Sequence, residues 1–177
     1  MWRSFVLFFL ISSTTIAEGY FIYIPYPYRQ KNIRGSCVYA SVANCMKTAN
    51  LWQEADIFWK KYKGDLNGEN LRGISDKLTR LGIKHVVIHD EQSLINALEA
   101  GRGAAVTWGR KHMVNLVGKS NNNAYIIDNE RTNKPIVQSW QKFMSGFRRG
   151  GGWGIIILSG KPHKSITRDN LDGFLEK

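Results

Sequence analysis

Two cysteines and four histidines carry most of the nucleophilic and basic chemistry open to this 177-residue sequence. Both cysteines fall in one stretch, "RGSCVYASVANCMKT", Arg34 to Thr48. A cysteine works as a nucleophile when its thiolate is stabilised, a base is in reach and donors meet the developing oxyanion. Cys37 stands where a helical pattern begins, and the free N–H groups and dipole of a helix start favour a thiolate. Gly35 just before it permits an unusual turn. Cys45 lies eight residues on, which in a helix is roughly 12 Å along the axis. A disulfide needs Cα atoms within about 7 Å, so the two are not expected to pair. Val42, Met46 and Ala49 make Cys45 a core residue.

The base must come from elsewhere in the chain. His112 opens "HMVNLVG", an apolar strand after the tight "GRK", and a histidine at a strand end faces a cleft more readily than one in mid-strand. Asp128 and Asn129 follow at the end of the next strand, "AYIIDN", and a hairpin of this length brings them beside His112. A carboxylate or amide there can accept Nδ1–H and hold the ring. Adjacent strand residues face opposite ways, so only one of the pair is expected to meet the ring. His85 and His89 would be roughly 13 Å apart on a strand, too far to share a metal.

These residues need elements to position them. "YFIYIPYPYRQKNIRG", Tyr20 to Gly35, is an extended lead-in interrupted by Pro25 and Pro27. A helix starts with Ser36 as its expected N-cap. Helices are also expected over Gln53 to Gly64 and Asn67 to Gly82. A short strand (Ile83 to Asp90), a helix ended by Gly101, a buried strand "GAAVTWG", the hairpin carrying His112, a short helix "SWQKFMSGF" and a closing strand "GGWGIIIL" follow. Helices come first and strands second, an α+β arrangement in which the helix of Cys37 packs on a C-terminal antiparallel β-sheet. Trp59 and Trp140 fall on apolar helix faces. Trp108 and Trp153 flank glycine-rich turns near the expected cleft.

The first residues differ from the rest. Arg3, the apolar run "FVLFFLI" and the small residues ending at Ala17 form the pattern of a secretory signal peptide. The expected division is signal peptide 1–17, one domain 18–160 and a basic tail 161–177, with export to an extracellular or periplasmic space. No other run is long enough to span a membrane. The net charge of +11 attracts anionic surfaces. The basic residues are scattered without the aromatic interleaving of a nucleic-acid groove, and no nucleic acid is expected.

The ordered set "GSCVYAS", "GAAVTW", "HMVNLVG", "AYIIDN", "WQKFMSGF" and "GGWGIIIL" resembles the papain-like cysteine peptidases, nearest to the branch of bacteriocin-processing, double-glycine peptidases. The resemblance runs from about Gln30 to Leu158. It implies a papain-like fold, a cysteine peptidase and a triad of Cys37, His112 and Asp128 or Asn129. Asp128 matches the aspartate of the bacteriocin-processing branch, and Asn129 the papain-type amide one position late. The family also places an oxyanion-binding glutamine about six residues before the nucleophile. Gln30 stands seven before Cys37 and Asn32 five. The implied partner is a peptide or protein substrate handled by a monomer, a cell-wall peptide being one candidate, with no metal or organic cofactor. A wall amidase or endopeptidase, a transglutaminase-type acyl transferase and an inactive binding module are the alternative readings.

Overall fold

The computed structural model describes residues 19–163, except 23, 25–27, 34 and 66–68. The segment expected to be a signal peptide and most of the basic tail lie outside the described residues.

α1 (Cys37–Thr48) is the central element, and every residue of it except Val38 is buried. A helix enclosed on all sides must be apolar or small all round, which "CVYASVANCM" supplies. It packs against α2 (Trp52–Tyr62) and against three strands, β3 (Ala104–Trp108), β4 (His112–Ser120) and β7 (Gly154–Ile157). α3 (Leu71–Arg80) adds Ile74 and Leu78 to the same core. On the other face of the sheet, α4 (Glu91–Glu99) and α5 (Trp140–Arg149) bury Leu94, Leu98, Phe143 and Phe147. Burying an aliphatic or aromatic side chain contributes about 1.5–3 kcal/mol, so these two layers supply most of the drive that holds α1 against the sheet.

The sheet is antiparallel throughout, in the order β2-β7-β3-β4-β5-β6, where β2 is His85–Ile88, β5 Asn123–Asp128 and β6 Arg131–Ser139. β1 (Gly19–Phe21) pairs with the far end of β4. The expected α+β class and the expected order of elements are those of the structure.

Three local features differ from expectation. β6 is an additional strand whose "RTNKPIVQS" is polar and contains Pro135. It lies at the sheet edge, where a missing N–H costs no ladder bond. Ser36 stands at the N-cap position but makes no side-chain cap. Its hydroxyl turns back to donate to the Ile33 carbonyl (2.9 Å) and accept from the Ile33 N–H (3.1 Å). That closes the loop before α1 and leaves the first helical turn without a side-chain cap. The third helix begins at Leu71, not Asn67, because Asn70 caps it by accepting from the Gly73 N–H at 2.9 Å.

Candidate active site

Cys37 is the first residue of α1 and lies on the wall of an open cleft of about 880 Å³. Gly35 precedes it with φ +92°, a left-handed backbone that a side chain disfavours. The chain can therefore turn sharply into the helix at this point. His112 and Met113 line the cleft from the start of β4. The His112 imidazole and the Met113 and Val38 backbone N–H groups act on the Cys37 sulfur to favour its thiolate.

On its other side His112 Nε2 lies 2.9 Å from Asp128 Oδ1. The carboxylate thus meets Nε2 and not the expected Nδ1, leaving Nδ1 as the nitrogen for the thiol. Asp128 also accepts the Glu130 N–H at 2.9 Å. These contacts decide the charges. Burial opposes ionisation of all three groups, but their mutual hydrogen bonds outweigh it. His112 is raised to about 10 by Asp128 and Cys37 despite burial. Cys37 is held below the ordinary thiol value, with burial raising it but His112 and the Met113 N–H lowering it more. Burial likewise pushes Asp128 up, and His112 with the Glu130 N–H carries it below the usual carboxylate value. The three shifts favour a thiolate, an imidazolium and a carboxylate in series.

Asn129 is 1% exposed and does not meet the imidazole. Its Nδ2 donates to the Met113 carbonyl (2.7 Å), the Ser41 hydroxyl (2.8 Å) and the Cys37 carbonyl (3.1 Å). It therefore ties the first turn of α1 to the strand that carries His112. Ser41 Oγ also donates to the Met113 carbonyl, and Asn115 Nδ2 to the Ser41 carbonyl. Asp128 and Asn129 are adjacent and face opposite ways, one toward the imidazole and one toward the helix. Sequence reasoning offered them as rivals for one place, and the structure gives each its own contact.

Gln30 departs from the expected oxyanion geometry. Its side-chain amide points to the Lys31 carbonyl at 3.5 Å, and it does not line the cleft. Its backbone is instead clasped by Asn44, which accepts the Gln30 N–H at 2.6 Å and donates to its carbonyl at 3.1 Å. Asn32 is also outside the cleft lining, with its amide 3.4 Å from Glu130 Oε1.

Another part of the cleft lining was not foreseen from the sequence. Glu69, Asn70 and Leu71 form it, held by a polar cluster under the cleft. Lys77 pairs with Glu69 and lies 3.7 Å from Asp65, which accepts the Tyr39 hydroxyl at 2.7 Å. Burial and the bond to Asp65 push Tyr39 up to about 12. No local periodicity marks these residues; they meet only because α3 packs on α1. Of the two candidate cleft tryptophans, Trp153 lines the cleft. Trp108 packs under α5, against Gly146, where a Cβ would come within 2.0 Å of its Nε1.

Cys45 is buried against the sheet, its thiol donating to the Gly103 carbonyl at 3.2 Å, and both cysteines are free. His85 lies between Ser75 Oγ (2.7 Å) and the Ile83 carbonyl (3.0 Å), and His89 Nδ1 is 3.3 Å from the Gly152 carbonyl. Ligand atoms of His112, Asp128 and Glu130 lie within 4.8 Å of one another. A cation there would compete with Asp128 for Nε2, the bond that orients the ring. Among the described residues no helix is long and apolar enough to cross a membrane.

No family model matches the sequence, and no curated protein matches it. Solved structures do. The peptidase domain of Streptococcus ComA, a bifunctional ABC transporter involved in a quorum-sensing pathway, superposes with a TM-score of 0.58 at 20% identity, over 76% of this chain and 96% of that one. A double-glycine-motif protease from an AMS/PCAT transporter, solved with its leader peptide, gives 0.53 at 16% identity, over 72% and 88%. The Streptococcus mutans ComA peptidase domain gives 0.51 at 18%, over 73% and 98%. The helix of Cys37 set against an antiparallel sheet is thus the papain-like fold, in the form shared with the peptidase domains of these transporters.

Proposed function

We propose that the chain is a cysteine peptidase in which Cys37, His112 and Asp128 act as a triad. The observation that carries this reading is His112, hydrogen-bonded to Asp128 and set with Cys37 on the wall of an open cleft. The Cys37 thiolate attacks a peptide carbonyl carbon, and the carbonyl π-bond electrons move to oxygen. The backbone N–H of Cys37, at the helix start that Ser36 leaves uncapped, meets that oxyanion. His112 gives its proton to the leaving amine as the C–N bond breaks, leaving a thioester on Cys37. Neutral His112 then takes a proton from water, whose oxygen displaces the thiolate and releases the acid. Asp128 keeps the ring oriented and stabilises the imidazolium through both steps. Asn129 is a positioning residue that keeps Cys37 and His112 in register.

The substrate in this reading is an extended peptide. The fold shared with a protease solved on its leader peptide supports this, as does the open shape of the cleft. We also read residues 1–17 as an export signal, which places the reaction outside the cytoplasm. N-terminal sequencing of the exported protein checks that, with Glu18 the expected first residue.

The test uses the whole protein with a mixed peptide set and, in parallel, peptidoglycan, with products read by mass spectrometry. Cleavage of peptides that Cys37→Ala abolishes is the expected result. Release from peptidoglycan alone would replace the peptidase by a wall hydrolase on the same residues. Iodoacetamide labels Cys37 at pH 6 in the expected case, although an ordinary thiol is only about 0.3% thiolate there. Labelling no faster than that of an ordinary thiol, with no Cys37-dependent turnover, would overturn the enzyme reading.

A further inference from the structure

The charged groups lining the cleft are not evenly balanced. Cys37 and Asp128 both act on the one His112 imidazole. Glu69, which also lines the cleft, is paired with Lys77, which Asp65 also approaches at 3.7 Å, so that part of the lining is neutral to acidic. Lys111 lines the cleft beside His112, and no carboxylate among the described residues forms an ion pair with it. Among the described residues that line the cleft, Lys111 is the cation with no ion-pair partner.

Its placement is firm. Trp108 pairs with His112 across β3 and β4, so residues 109–111 form a three-residue hairpin loop. Such loops hold their last residue in the left-handed region, and Lys111 has φ +55°. The Gly109 N–H donates to the Gly146 carbonyl at 2.8 Å, anchoring the loop to α5. The cation therefore rises from an anchored turn next to the imidazole.

We propose that Lys111 makes the cleft selective for substrates with a carboxylate on one side of the cleaved bond, the side nearest the β3–β4 turn. The inference rests on the peptidase reading for its substrate and on the cleft's charge distribution for its sign. An acidic residue on that side gains an ion pair, and one on the other side does not. A partly exposed pair of this kind changes rates by about two- to fivefold and fades with salt.

Two measurements test this separately. The first compares alkylation of Cys37 by iodoacetate, an anion, with that by neutral iodoacetamide, and needs no turnover. The iodoacetate-to-iodoacetamide rate ratio should fall about two- to fivefold in Lys111→Asn and further in Lys111→Glu, with the differences closing in 1 M salt. Asparagine tolerates the left-handed backbone, so the loop should persist. The second scans a single Glu through a cleaved peptide, and kcat/KM should rise for Glu on one side of the bond only. Lys111→Asn should remove that rise. An unchanged alkylation ratio in both variants overturns the proposal, whether or not peptides are cleaved. A lowered ratio with no peptide cleaved keeps the anion selectivity and rejects the peptidase reading.

Discussion

The two ends of α1 carry the same side chain in opposite chemical states. Cys37 at the N-terminal end is held below the ordinary thiol value, whereas burial pushes Cys45, two turns on, up to about 11. Both are buried, so burial alone does not separate them. The difference is what burial is set against. Cys37 has an imidazole and two backbone N–H donors, which favour the charged form. Cys45 also meets the Ile157 and Ala105 N–H groups and Thr48, which favour its thiolate, but its full burial outweighs them. A reactive cysteine and an inert one thus differ in whether the surrounding donors outweigh burial.

The strongest way to break this contrast is to free the imidazole. In Asp128→Ala, His112 loses its largest raising partner and should fall from about 10 toward the ordinary histidine value. Peptide turnover should drop about 10²–10⁴-fold, and iodoacetamide labelling at pH 6 should drop with it. Labelling that stays at the native rate would remove the ion pair from the account.

The contrast also has a pH signature. Cys37 should react with iodoacetamide well below pH 9, and Cys45 only as the protein unfolds. At pH 7 the two rates should differ by about 10²-fold or more, since Cys45 is both protonated and enclosed. Turnover should fall on the acid side as Cys37 takes up a proton, and on the alkaline side as His112 loses its proton near about 10. Stability follows the same groups. The raised His112 value adds stability that is complete below about 6.5 and lost as pH rises through about 10. The lowered Asp128 value adds stability present above 3.8 and lost as pH falls through the folded value. Thermal midpoints measured across pH check both limbs.

A smaller effect belongs to the clasp between the two elements. Asn129→Ala removes donors from three buried carbonyl or hydroxyl acceptors. It should cost about 1–3 kcal/mol of stability and slow Cys37 labelling about tenfold. If it loosens the register of Cys37 and His112, the pH profile of labelling should move toward an ordinary thiol. Asn115→Ala, in the same buried layer but bonded only to the Ser41 carbonyl, should leave that profile in place. Equal shifts in both variants would make Asn129 a stabilising residue only.

The mildest changes test the inert side. Cys45→Ala should cost about 1–2 kcal/mol in urea unfolding and leave the labelling rate of Cys37 within about twofold. Gln30→Ala should change kcat by less than about threefold, against the roughly 10²–10³-fold expected for a true oxyanion donor. A large loss there would return Gln30 to the site through a rearrangement of the loop before α1.

Much of this was legible in the residues. Small and apolar positions at helical spacing mark α1, and short apolar runs bounded by glycine or polar turns mark β3, β4 and β5. These signals are local, so they survive without tertiary information. The excess strand β6 was not legible, because Pro135 and its polar neighbours look like a loop until an edge position makes them tolerable. Ser36 resembled a cap because serine usually is one, and only the turn at Ile33 shows where its hydroxyl goes. Nor could spacing choose between Nδ1 and Nε2 of His112, since that depends on how the ring leaves its strand.

By itself the sequence determined the order of the elements, a cysteine at a helix start, a histidine at a strand start and an acid–amide pair at the end of the next strand. Each depends on neighbours a few residues away. Only the tertiary structure decided which of the pair meets the imidazole, where Gln30 points, and that Glu69 and Lys111 line the same cleft. Hydrogen-bond partners and charge balance are set by groups far apart in the chain, and nothing short of packing brings those groups together.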